Sequence, residues 1–278
     1  MSGAIVEFRG LDNVRTVMDG VFSGSEPHGR ADFDSLVALD VRTVISVDGA
    51  APDASLAAQY GLKYIHIPVS YGQISESKGH QIARAIRDLP GPVYVHCQHG
   101  QHRAPSAAAF AAVVLGRWTP EDAVTFMQRA GTSLSYQGLY DSVMSARHMD
   151  DAALDGVPLP STDCVPPTGM VELMVSLDRE FHRLQSSDAV GWRVPHADPD
   201  LDPARTAQEI IELFKKLGGG TDNLLQQVDF VRRLDKAKAA SRRLSDALGD
   251  RRLGVASDAL KELKTECSAC HDAFRGRR

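Results

Sequence analysis

The chain has no long apolar run, no basic excess and few aromatic residues. No stretch approaches the ~18–20 apolar residues that span a bilayer, so no membrane span is expected. A formal charge of −5 with 6% aromatic residues provides no basic field for nucleic acid. Four cysteines, Cys97, Cys164, Cys267 and Cys270, offer no pair that suggests a disulfide framework. The opening MSGAIVEFRG lacks the basic start, apolar stretch and small-residue cleavage site of a secretory signal, which taken alone points to the cytoplasm. The expectation is a soluble protein acting on small or polar partners.

The length of 278 residues suggests two domains. Up to about residue 150, short β-rich runs at Val21–Ser23, Thr43–Val47, Lys63–Val69 and Pro92–Cys97 alternate with helical stretches near Asp32–Leu39, Asp53–Tyr60 and Glu76–Leu89. Helices follow after Arg103 and near Pro120–Arg129 and Leu134–Met149. This pattern predicts an α/β domain, residues 1–155, with a mostly parallel sheet and helices on its faces. The stretch GVPLPSTDCVPPTG, residues 156–169, breaks every regular pattern and reads as a linker. Cys164 within it is expected to be a bystander thiol. From residue 170 to 278 there is almost no β signal, and helices at Met170–Leu184, Pro203–Leu217, Asn223–Leu248 and Asp250–Arg275 predict an all-α four-helix bundle. Pro203 after Asp202 suits a capped helix start.

The segment VYVHCQHGQHR, residues 93–103, places Cys97 at a strand end and Arg103 at a helix start, with Gln98, His99, Gly100, Gln101 and His102 between. Backbone N–H groups of such a loop can converge on an oxyanion, with a helix N-terminus behind them and the planar Arg103 fork gripping two oxygens. A positive field of this kind favours a nucleophilic thiolate. His99 and His102 are read as solvent-facing loop residues, with electrostatic tuning or metal binding as the alternative.

On His96, Cys97, Gly100 and Arg103, and on the preceding VFSGSEP, TVISVDG and KYIHIPV, the first 150 or so residues resemble the cysteine-dependent protein phosphatases of the dual-specificity-like branch. The resemblance implies Cys97 as nucleophile, residues 98–103 as phosphate cradle, Arg103 as clamp, and hydrolysis through a thiophosphate without metal. Two positions depart from the family. Ala104 stands where Ser or Thr commonly helps the thiolate leave, so turnover is expected to be slow. The stretch Ser70–Glu76 lacks the aspartate that often serves as general acid; Asp48 is the first substitute, followed by Asp53 and Glu76.

Cys267-Ser268-Ala269-Cys270-His271 has the spacing for c-type haem attachment, two thiols one helical turn apart and an imidazole beside them. A thioredoxin-like pair belongs at a helix start after a strand, and zinc would need further ligands nearby. Ala256, Leu260, Leu263, Cys267, Cys270, His271 and Phe274 recur at helical spacing on one stripe. Motif position and helix count make residues 170–278 resemble the cytochrome c′ family. That resemblance implies haem c iron held by His271, Arg275 near the propionates, and a vacant or methionine-filled distal side facing the first helix. Met174 is the preferred distal neighbour, with Met170 one turn before it and His182 two turns beyond; plain apolar core is the alternative for the methionines.

The expected function is a haem-containing cysteine phosphatase in which the haem unit senses redox state or a small gas, or transfers electrons. Two alternatives stay open: a sulfur-transfer enzyme carrying a Cys97 persulfide, and an electron-transfer cytochrome with an inactive oxyanion-binding module. Expected partners are a phosphorylated or other oxyanion substrate and a redox partner protein, with room for a homodimer. Haem attachment of this kind normally occurs outside the bacterial cytoplasm, so a periplasmic location is expected, the true start or a cleaved leader lying outside this chain.

Overall fold

The computed structural model describes residues 10–52, 54–160, 169–195, 201–220 and 222–274. Contacts divide the chain into two compact units, one within residues 1–166 and the other within 167–275.

The first unit contains β1 (Arg15–Met18), β2 (Val21–Ser25), α1 (Arg30–Ala38), β3 (Thr43–Ser46), α2 (Ala54–Gln59), β4 (Lys63–His66), α3 (Glu76–Asp88), β5 (Val93–Cys97), α4 (Arg103–Val114), α5 (Pro120–Arg129), α6 (Gln137–Ser145) and α7 (Asp151–Asp155). The sheet order is β1-β2-β5-β3-β4; β2, β5, β3 and β4 run parallel and β1 is antiparallel to β2. The sheet is therefore mixed at one edge. The signal for β1 was present: Asp19-Gly20, with Gly20 at φ +69°, is a hairpin turn between two β-rich runs.

Period-two alternation sorts β5 between two cores. Val93, Val95 and Cys97 join the cluster under α3–α6, with Ile45, Ile65, Ile82 and Phe110, whereas Tyr94 joins Phe33, Leu36, Val44 and Tyr64 on the opposite face. Helix α4 is buried along its whole length, which its run of alanines permits by letting the backbone lie close to the sheet. Each large apolar side chain fully buried here contributes about 1.5–3 kcal/mol.

Several boundaries differ from the sequence pattern. Strand β4 ends at His66 rather than Val69, although the Ile67 and Val69 N–H groups still donate to Ser46 and Val47 carbonyls. Helix α6 is shorter than Leu134–Met149 because Ser133 and Ser135 side chains form a turn ahead of it and Ala146 leaves the helix at ψ 143°.

The second unit comprises α8 (Gly169–Ala189), α9 (Pro203–Gly218), α10 (Val228–Gly249) and α11 (Leu253–Phe274). Consecutive helices pack on one another and α11 also touches α8, enclosing a cluster of Leu177, Leu184, Ile210, Phe214, Phe230, Leu234, Leu244, Leu260 and Leu263. The Asp202 carboxylate accepts from Ala204 and Arg205 N–H at 3.0 and 3.2 Å ahead of Pro203. Helix α8 continues past Leu184 through Ser187, which is fully buried and donates to the Arg193 carbonyl. Helix α10 starts at Val228 instead of Asn223, because Asp222 caps a separate 3₁₀ turn at Asn223–Gln226 and Gln227 is extended. Arg251, left-handed at φ 56°, separates α10 from α11, so the last helix begins at Leu253.

Candidate active site

In parallel register Ser25 lies beside Cys97, and Ser46 lies between His96 and His66. The carboxyl ends of four strands thus meet at one edge, where α/β sheets gather their functional loops. Cys97 ends β5, Arg103 opens α4, and the five residues between form the cradle loop. Cys97 and Arg103 are both buried. The Ala104 N–H, in the first turn of α4, donates to Cys97 Sγ at 3.4 Å, so the sulfur sits against a helix N-terminus.

The loop is stitched at both flanks. Asn13 Nδ2 donates to the His99 carbonyl at 2.8 Å, His99 bridges Ser25, and Thr132 Oγ donates to the Gln101 carbonyl at 2.8 Å. Gly100 has φ +67°, and a Cβ there would lie 2.4 Å from the Gly24 carbonyl carbon, so only glycine allows the loop to lie against β2. The His102 ring accepts from the Ser133 N–H at Nδ1, 3.3 Å.

Asp48 lies under this loop. Its Oδ2 accepts from the Gln98 N–H at 2.8 Å and from Arg103 Nη2 at 2.5 Å, and its Oδ1 accepts from the Ala50 N–H at 3.1 Å. Burial acts to raise the Asp48 carboxyl, but Arg103 and the two backbone donors outweigh it and hold the group below the ordinary carboxylate range. A group so held is a carboxylate at neutral pH. Asp48 is therefore at the site, as expected, but in a state suited to gripping Arg103 rather than giving a proton. Burial opposes the Arg103 charge, and Asp48, with Tyr71 and Cys97, more than restores it, leaving Arg103 firmly cationic. Arg103 Nε is buried without a hydrogen-bond partner. A buried charged donor left over beside a strand-end thiol and a helix N-terminus is chemically suited to an oxyanion.

His96 points to the other side of the sheet. Its Nε2 is 2.6 Å from the Tyr64 hydroxyl, Nδ1 is buried and unpartnered, and burial lowers its pKa to about 3, so the ring is neutral. His66 Nε2 donates to the Asp48 carbonyl at 2.9 Å, and burial lowers its pKa as well. Of the other acid candidates, Glu76 opens α3 at an exposed position and Asp53 lies outside the described residues.

One residue that sequence patterning does not single out lies against the clamp. The Tyr71 ring lies over the Arg103 guanidinium, Cζ to centroid 4.4 Å. It packs on Tyr136 at 4.6 Å and lies 6.2 Å from His102. Tyr71 occupies the Ser70–Glu76 stretch already marked for its missing aspartate, which was the available signal.

In the second unit, Cys267 and Cys270 share one face of α11 and are half-buried free thiols. They pack against the apolar cluster together with Met170, Leu173 and Met174 of α8, Phe181 and Phe274. Burial, reinforced by Cys270, Asp178 and Glu266, pushes the Cys267 thiol up to about 12. Burial also raises Cys270, against the opposing effect of Arg233. Two thiols one turn apart beside His271, opening on an apolar interior with thioethers on the facing helix, form a donor set that fits a covalently attached haem. His182 is exposed and bonded to Asp178, which makes it a surface residue of α8. Arg275 and Cys164 lie outside the described residues. Among the described residues no three His, Cys, Asp or Glu side chains gather as a metal-ion site. No described helix is long and apolar enough to cross a membrane.

No protein-family model matches the chain. A stretch of 95 residues is 28% identical to the dual specificity protein phosphatase TpbA of Pseudomonas aeruginosa (strain UCBPP-PA14), covering 34% of this chain and 43% of that protein. The chain thus spans less than half the length of this curated relative. Among solved structures, P. aeruginosa TpbA is similar over 56% of this chain and 93% of its own, with 21% identity and a TM-score of 0.46. The core catalytic domain of a PP-IP phosphatase from S. cerevisiae, in complex with citrate, is similar over 52% and 91%, with 14% identity and a TM-score of 0.44. The N-terminal region resembles dual-specificity phosphatases.

Proposed function

We propose that the N-terminal unit is a cysteine-dependent phosphatase and that the C-terminal unit carries a c-type haem. The observation that carries the first part is the buried, unpartnered Nε of Arg103 at the end of a loop that starts from Cys97, whose Sγ accepts from the Ala104 N–H. A phosphate monoester seated in the loop receives N–H groups of residues 99–103 and the Arg103 fork, the Gln98 N–H being held by Asp48. The Cys97 thiolate attacks phosphorus and the bond to the leaving oxygen breaks; that oxygen departs with the electron pair and takes up a proton from solvent water. Water then attacks the thiophosphate, the S–P bond breaks, and inorganic phosphate leaves with the thiolate restored, the water proton passing to solvent. Asp48 acts through Arg103 and Gln98, holding both in place.

In the second unit Cys267 and Cys270 would form the thioethers, His271 would be the proximal ligand, and Met174 or Met170 the distal neighbour. Bound there, the haem supplies a redox-active iron for electron transfer or for sensing redox state or a small gas. Its joining to a cysteine enzyme supports a regulatory link, since a cysteine nucleophile is open to oxidation.

The test is phosphate release from an aryl phosphate by the haem-loaded chain with Cys97→Ser as control. Release lost in that variant supports the phosphatase. No release by the unaltered chain, together with sulfate or phosphate binding that needs Arg103, leaves an anion-binding module instead. If oxidising and reducing the haem leaves both activity and anion affinity unchanged, the regulatory link fails.

A further inference from the structure

We propose that Tyr71 is a positioning residue for the phosphate clamp, its ring fixing the plane of the Arg103 guanidinium before the anion arrives. This rests on the cradle's being a phosphate site. Asp48 bonds Arg103 through one terminal nitrogen, Nη2. That contact alone would leave the planar group free to rotate about it. The Tyr71 face, 4.4 Å from Cζ, supplies the second constraint. A carboxylate at one edge and a ring against the flat face define the plane, and Nε is left as a donor still to be used. Immobilising an arginine side chain during folding spares its rotamer entropy at binding.

Tyr71 can do this because its own loop is rigid. Ser70 Oγ accepts from the Gly72 and Gln73 N–H groups, both at 3.1 Å, closing a tight turn around Tyr71. The Ile74 N–H donates to Ser142 Oγ of α6 at 3.0 Å. The Gly72 carbonyl approaches α6 so closely that a Cβ at Gly138 would lie 1.6 Å from its oxygen. Tyr136, at the start of α6, backs the ring at 4.6 Å, and His102, the residue before Arg103, stands edge-on to Tyr136 at 4.9 Å. The aromatic group thus ties the loop after β4, the start of α6 and the end of the cradle to one guanidinium. The ring faces Arg103, and the Tyr71 side chain is also hydrogen-bonded to it, so the Phe variant separates the ring face from that bond.

The experiment measures inorganic phosphate affinity of the full chain with Tyr71→Phe, Tyr71→Leu and Tyr71→Met, each also in an Arg103→Lys background. Lysine keeps the charge without a plane to align. Phe is expected to bind within about twofold of the unaltered chain, whereas Leu and Met, which fill space without a ring face, weaken binding about 5- to 10-fold. In the Arg103→Lys background the Leu and Met effects are expected to shrink below about twofold, the mark of a residue acting through its partner. Phe as harmful as Leu, Leu and Met without effect, or an undiminished loss in the lysine background would each overturn the proposal. An unaltered chain that binds no phosphate, or binds it without need of Arg103, would overturn the cradle itself. Two apolar variants keep the test open if one does not fold.

Discussion

Asp48 Oδ2 accepts at once from Arg103 Nη2 and from the Gln98 N–H, at 2.5 and 2.8 Å, so one carboxylate oxygen joins the two ends of the cradle loop. The helix residue that follows the loop and the first residue after Cys97 are thereby held to a common point.

Removing that charge disturbs the loop and leaves a buried cation unpaired. Asp48→Ala is expected to cost about 3–5 kcal/mol of stability in the N-terminal unit. Asp48→Asn, which keeps an acceptor for Gln98, is expected to lose about 100-fold in kcat/KM while preserving the pH profile. Loss of the basic limb of that profile in Asp48→Asn would instead identify Asp48 as the proton donor. Chemical denaturation and pH–rate curves on an aryl phosphate read both effects.

Ala104 gives Cys97 a backbone N–H at 3.4 Å but has no hydroxyl to share the charge on the departing thiolate. Breakdown of the thiophosphate is expected to limit turnover, so rapid mixing with p-nitrophenyl phosphate releases about one equivalent of nitrophenol per site in a burst. Ala104→Ser is expected to raise steady-state kcat several-fold and shrink the burst. Linear release without a burst in the unaltered chain would place the slow step before the intermediate.

Burial lowers the His96 pKa from 6.5 to about 3, so between those values the unfolded chain binds a proton that the folded chain does not. The stability held by neutral His96 is complete above pH 6.5 and falls with pH, by up to about 1.4 kcal/mol per unit, until the folded value is reached. His66 is shifted in the same direction and adds to the slope. Asp48, held below the carboxylate range, contributes only once the pH drops below about 4, again with stability lost on acidification. Urea unfolding at pH 7.5, 6 and 5 is expected to show this loss, and His96→Asn to flatten it to the share left by His66.

Haem attachment is checked by covalent haem staining after expression with a c-type maturation system. The unaltered chain is expected to retain haem through denaturation, Cys267→Ala and Cys270→Ala to retain it in reduced yield through one thioether, and the double variant to lose it. Met174→Leu is expected to change the spectrum only if that sulfur reaches the iron. No covalent haem in the unaltered chain would return Cys267 and Cys270 to the apolar packing of α11.

The two chemical motifs are local in sequence because their geometry is local. A strand end, a five-residue loop and a helix start lie within 93–103, and two thiols one turn apart lie within one helix, so their spacing carries their arrangement. The alternating burial of β5 and the capped start of α9 follow equally from neighbours in the chain. Contacts between distant segments have no such signature. That Asp48 holds Arg103, 55 residues on, and that Tyr71 covers it depend on how β3, β4 and β5 align at one edge of the sheet. From sequence Asp48 was an aspartate at a strand end, open to a role as acid. Its charge state was decided by burial against a guanidinium, and that burial exists only when the sheet has brought the two groups together.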